Sequence, residues 1–98
     1  MLAGDSILVR VTVARGGAPV ERGPVTAEFF APGRDTESPA VRASPDHWQS
    51  CYYDPPSRRW TAAVHTRGWA AGWWQVRGVI DGPDGAAAGP LSRFRLAA

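Results

Sequence analysis

Apolar and polar positions alternate with period two over most of the chain, the spacing of half-buried β-strands. Ile7, Val9, Val11 and Val13 alternate with Leu8, Arg10, Thr12 and Ala14. Val25, Ala27 and Phe29 alternate with Thr26, Glu28 and Phe30, and Trp60, Ala62 and Val64 with Thr61, Ala63 and His65. Trp74, Val76, Gly78 and Ile80 do so with Trp73, Gln75, Arg77 and Val79. A closing strand from Leu91 to Ala97 puts Phe94 and Leu96 on one face and Arg93 and Arg95 on the other. Two weaker segments complete the set. Glu37 to Ala43 reads as an edge strand, because Pro39 removes a ladder donor. The aromatic, proline-interrupted stretch from Ser44 to Ser57 holds one short strand, about His47 to Tyr53.

Turn chemistry separates these runs. Arg15-Gly16-Gly17-Ala18-Pro19 ends the first, since its glycines permit positive φ, and Ala31-Pro32-Gly33-Arg34-Asp35 ends the second. Asp81-Gly82-Pro83-Asp84-Gly85 is a strong turn, and the alanine-rich stretch to Pro90 extends it as a loop. No segment carries helical spacing behind a capping residue. With 9 prolines and 11 glycines among 98 residues, a break falls at nearly every tenth position. The expectation is one all-β domain over residues 1–98, an immunoglobulin-like antiparallel β-sandwich of about seven short strands.

Charge changes this picture little. All 11 basic residues are arginine, against 9 acids, for a net charge of +2. They are scattered apart from Arg58-Arg59 and the Arg93/Arg95 pair, whereas a nucleic-acid face needs a dense basic stripe. Direct nucleic-acid binding is therefore not expected. No apolar run approaches the roughly 20 residues of a membrane span. Met1-Leu2-Ala3-Gly4-Asp5 lacks the basic stretch and apolar core of a secretory signal. Cys51 is the single cysteine, so no internal disulfide forms, and its aromatic neighbours favour a packed thiol.

Candidate chemistry is sparse. His47 and His65 accompany serines and aspartates, but no Gly-x-Ser-x-Gly elbow is present, and His65 reads as an exposed sheet residue. Asp46, His47 and Cys51 are too few and too mixed for a zinc site. The Asp81–Gly85 turn lacks the acidic run and distal glutamate of a calcium loop. No catalytic residue, metal site or cofactor is assigned.

The five tryptophans are the anomaly. Trp73 and Trp74 are adjacent, so on a strand they face opposite sides. With Trp74 and Trp60 inside, Trp73 lies outside beside Gln75 and Arg77, and Trp48 and Trp69 fall in loops. Those loop tryptophans either contact a partner or fold back as lids over the sheet ends. The candidate binding residues are Trp73, Trp48, Tyr53, Arg77 and Gln75, acting through surface contact.

Several residues together carry a resemblance. They are Gly4-Asp5 before alternating valines, Gly17-Ala18-Pro19-Val20 in the first turn, Val25-Thr26 opening the second strand and Ala31-Pro32-Gly33 ending it. Trp60 before the penultimate hairpin, Gly72-Trp73-Trp74-Gln75-Val76-Arg77 and the closing Phe94-Arg95-Leu96 complete the pattern. So arranged, the chain resembles short immunoglobulin-like proteins of tailed bacteriophages and prophages of actinobacteria and related hosts. Bacterial surface modules of the macroglobulin and "big" immunoglobulin classes share much of the pattern. Glu37 to Ser57 departs from it, which leaves the partner-facing surface open. The resemblance implies a structural role in a virion: decorating capsid or tail, or sealing a joint between its parts. Its partners would be other virion proteins or copies of itself, and its location the virion, after synthesis in the host cytoplasm. It transfers no functional residue; it implies only that Trp74 is buried and spans between sheets. Carbohydrate is the alternative partner, since exposed tryptophans also stack on sugar rings, with Asp46, Gln49 and Gln75 as polar neighbours.

Overall fold

The computed structural model describes residues 6–33, 45–82 and 85–97, the side chains of 81, 82, 85 and 86 excepted. Within them all regular structure is β. The strands are β1 (Ser6–Val11), β2 (Ala14–Arg15), β3 (Ala18–Pro19), β4 (Thr26–Phe30) and β5 (His47–Ser50). They continue with β6 (Tyr52–Asp54), β7 (Arg59–His65), β8 (Gly72–Gly82), β9 (Gly85–Ala88) and β10 (Ser92–Leu96). Every ladder is antiparallel. One sheet has the order β1-β7-β6. A second has the order β10-β8-β4-β5, with β9 also on β8, and β2 and β3 form a small hairpin.

The alternating pattern explains which faces meet. Ile7, Val9 and Val11 of β1 and Trp60, Ala62 and Val64 of β7 are buried. They join Ala27 and Phe29 of β4, Trp74 and Val76 of β8, and Leu96 of β10 in one apolar cluster. Each sheet thus turns one side of its alternation to the same core.

The described residues alone form ten strands where about seven were expected for the chain, for three physical reasons. First, the segment read as one strand from His47 to Tyr53 is two. β5 pairs with β4 in the larger sheet, whereas β6 pairs with β7 in the smaller one. Cys51 lies at the crossing, and its N–H donates to the Val25 carbonyl at 2.9 Å. Secondly, Gly16 and Gly17 both take positive φ, 59° and 80°, which matches the tight turn of the β2–β3 hairpin. Thirdly, the alanine-rich stretch is a strand and not a loop. β9 pairs with β8 from Val79↔Ala88 to Gly82↔Gly85. The expected edge strand over 37–43 lies outside the described residues.

Between β9 and β10 the ladder carries a bulge. Val79 pairs with Ala88 and Val76 with Ser92, so Arg77 and Gly78 face the three residues Gly89, Pro90 and Leu91. Pro90 sits where no ladder donor is needed, while the Gly89 N–H reaches the Gly78 carbonyl at 2.8 Å. The bulge also lets the chain beyond β1 pass closely. A Cβ on Gly89 would run into the Thr12 carbonyl oxygen, a backbone atom that cannot swing aside. Gly89→Ala should therefore destabilise the domain by at least about 2 kcal/mol in a denaturant titration, the range of overpacked cores. Gly16→Ala, with nothing within 4 Å of its Cβ, should cost only the left-handed penalty of about 1–2 kcal/mol.

Candidate functional site

The outward side of the larger sheet gathers most of the candidate residues. On β8, Trp74 and Val76 face the core, so Trp73, Gln75 and Arg77 face away from it. Glu28 of β4 stands directly opposite Arg77, and Trp48 of β5 directly opposite Glu28. Directly paired residues share a face, so Trp48 joins Trp73 on one surface. Strand rise and spacing separate the backbone positions of the two tryptophans by roughly 16 Å, four residues along β8 and two strands across. Trp48 is 67% exposed and Trp73 57%.

The ground between them is polar and fixed. Arg77 Nε donates to Glu28 Oε1 at 3.0 Å, with both side chains about one-fifth exposed. The same guanidinium lies 5.1 Å over the Phe30 ring, a geometry worth roughly 0.5–2 kcal/mol. Phe30 is 1% exposed although its neighbour Phe29 fills the core on the opposite face. Arg77 is thus engaged within the sheet, and Gln75 beside it also has an interaction partner. Glu28 and Phe30 were missed from sequence. The signal was there in the Phe29-Phe30 pair, of which one member must face outward on a strand.

The structure separates Tyr53 from this group. It belongs to the other sheet, half-buried, with its ring 5.3 Å from Trp60. Its hydroxyl donates to Glu21 Oε1 at 3.4 Å. Desolvation, with the Glu21 carboxylate next, raises the phenol's pKa. Tyr52, one residue earlier and 57% exposed, is the outward member of the pair. Both lie on β6, within the stretch where a short strand over His47 to Tyr53 was expected, and Trp48 lies on β5 and not in a loop; period two therefore decides which side chains point out.

Trp69 takes the lid alternative. Its indole stacks on Trp74 at 4.6 Å and meets Phe29 edge-on at 5.1 Å. His47 covers it from outside, with ring centroids 4.3 Å apart and planes 9° from parallel. The turn that delivers it is closed by the Trp69 N–H on the Thr66 carbonyl, 3.0 Å. Trp74 Nε1 donates to the Ala70 carbonyl and Trp60 Nε1 to the Val20 carbonyl, each at 2.8 Å, so both core indoles are satisfied.

Other reactive side chains are dispersed. His47 is committed to Trp69, while Asp46 Oδ2 accepts the Ala31 N–H at 2.7 Å. Among the described residues no three of His, Cys, Asp and Glu stand together as metal ligands. Ser6 Oγ lies 3.0 Å from His65 Nδ1. This is a cross-strand pair, in register on β1 and β7, on an exposed sheet face. Burial raises the Cys51 thiol from its usual 9.0 to about 11. Comparison of the chain with protein-family models, curated proteins and solved structures finds no match.

Two outcomes follow from this geometry. In urea titrations Trp69→Ala should lose about 3–5 kcal/mol, as for other buried tryptophans, while Trp73→Ala should stay within about 0.5 kcal/mol of the parent. Cys51 holds its proton more tightly folded than unfolded. Stability should therefore be insensitive to this group below pH 9.0 and fall as pH rises towards about 11. Cys51→Ser should flatten that part of the pH profile.

Proposed function

We propose that this chain is a non-enzymatic binding protein built as an immunoglobulin-like β-sandwich. In this reading it is a structural component of a bacteriophage virion, joined to other virion proteins or to copies of itself. The sandwich reading is supported by strand order. β1, β7 and β6 correspond to the B, E and D strands of that architecture, and β10, β8, β4 and β5 to G, F, C and C′. The shared buried cluster of the two sheets supports it further.

The observation that carries the binding role is the pair of exposed tryptophans on one sheet face. Tryptophan is enriched among the residues that dominate interface energies, and neither indole is needed by the core. Trp73 and Trp48 are the anchors of this reading, with Gln75 and Arg77 as the polar ground between them. Tyr53 drops to a supporting position behind Trp60.

A second reading, glycan binding, draws on the same face. Two indoles flanking the Glu28–Arg77 pair and Gln75 also form an arrangement suited to sugar rings and their hydroxyls. The two readings separate cleanly in one experiment. Particles purified from a producing culture, and a glycan array, are each probed with the parent, with Trp48→Ala, with Trp73→Ala and with the chain carrying both substitutions. Incorporation into particles should fall about 30-fold for Trp73→Ala, the equivalent of about 2 kcal/mol, with no change in melting temperature. Glycan signal lost with the same substitutions would move the conclusion to sugar. Incorporation unchanged in the double variant would overturn the tryptophan face.

A further inference from the structure

We propose that the cavity between the β2–β3 hairpin, Trp60 and the β9–β10 bulge binds a small amphipathic carboxylate, with its acid group on Arg58. The cavity has a volume of about 330 Å³, at the lower end of small-molecule sites. That suits a body of amino-acid or fragment size, a free acid or the last one or two residues of a chain, and is too small for a longer protein segment. Val13, Pro19, Val20, Trp60 and Pro90 give it an apolar wall. Because Trp60 Nε1 is already spent on the Val20 carbonyl, the indole offers ring surface only. An apolar ligand body fits this lining.

Charge selects the other end of the ligand. Arg58 and Glu21 are the charged residues lining the cavity. Glu21 already accepts the Tyr53 hydroxyl. Arg58 has no ion pair or side-chain hydrogen bond among the described residues, so its guanidinium is available to an acid group, while Glu21 keeps its own negative charge elsewhere in the lining. A guanidinium meets a carboxylate through two parallel N–H donors, a geometry a single point charge cannot supply.

Backbone conformation adds an independent observation. Arg58 takes φ 54°, the one non-glycine residue with positive φ among those described. It ends the turn in which its own N–H reaches the Pro55 carbonyl at 3.3 Å. Glycine would occupy this position without strain. A long cationic side chain held there, at the lip of an apolar cavity, is the kind of outlier from which function is inferred.

None of the tryptophan-face residues lines the cavity, so this site stands or falls separately from that reading. The test titrates the parent chain with phenylbutyrate and with its neutral amide, following backbone amide shifts by NMR. The acid should bind in the millimolar range or tighter, shifting residues around Trp60 and Gly89, and the amide should bind about tenfold more weakly. Arg58→Gly should impose the same tenfold loss on the acid without lowering the melting temperature, since it relieves the left-handed backbone. Acetyl-glycyl-leucine serves as a second acid: its binding would assign the site to a peptide C-terminus, and its failure to a free acid. Equal affinity for acid and amide, an Arg58→Gly chain that binds like the parent, or no binding of phenylbutyrate overturns the proposal.

Discussion

Trp74 stands at the point where the two sheets and the turn before β8 converge. Its indole is 2% exposed, stacked by Trp69 and tied by Nε1 to the Ala70 carbonyl. β8 is also the strand on which the larger sheet is assembled, since β4, β9 and β10 all pair with it. Fixing the side to which Trp74 points therefore fixes the side for every residue of that sheet. A slip of one position would exchange Trp74 with Trp73 and turn the inward row outward. Burial of this single large ring, at about 3–5 kcal/mol, is a sizeable share of the 5–15 kcal/mol that small domains possess. The outward face with its two tryptophans is a consequence of that inward choice.

The opposite end of the core obeys a different constraint, close backbone approach. β1 must leave β7 and cross towards β8 within two residues, Thr12 and Val13. Gly78 makes room, since a Cβ there would come within 2.8 Å of the Val11 and Val13 methyls. Gly89 makes room for the Thr12 carbonyl. The bulge and the β2–β3 hairpin both arise where this crossing occurs, and the cavity opens beside them. A regular ladder would have closed that end with side chains.

What the sequence revealed followed from period two. Strand faces at Ile7–Val13, Val25–Phe29, Trp60–Val64 and Trp74–Val76 were all legible, and with them the inside positions of Trp60 and Trp74. Three features were not. The switch of sheets at Cys51 leaves no mark on alternation, because β5 and β6 read as one run of aromatic residues. β9 is a strand of Gly and Ala, residues with low strand preference, held there by the long partner β8. The lid role of Trp69 depends on contacts with His47 and Phe29, which lie 22 and 40 residues earlier in the chain. Of the candidate site, Trp73, Gln75 and Arg77 were legible as neighbours on one strand. Trp48 joined them only through the β4–β5 register, and Tyr53 left them by the same kind of pairing.

Placing both outward tryptophans on strands rather than loops has an energetic consequence for the proposed binding role. A loop anchor must lose backbone freedom when it docks, whereas Trp48 and Trp73 are presented on paired backbone and have two side-chain torsions each to fix. Each ring can bury about 150–250 Å² of surface, so two of them supply a substantial apolar contact at small ordering cost. The Glu28–Arg77 pair between them works in the same direction. Its charges are already neutralised within the sheet, so a partner can cover them without leaving an unpaired ion, the costly outcome for a buried charge. Under the proposed binding role the spacing constrains the partner: it must be flat or extended over roughly 16 Å to engage both strand positions at once. A pocket-shaped partner would reach one indole alone, and a compact ligand would find no reason to prefer this face over any single exposed aromatic.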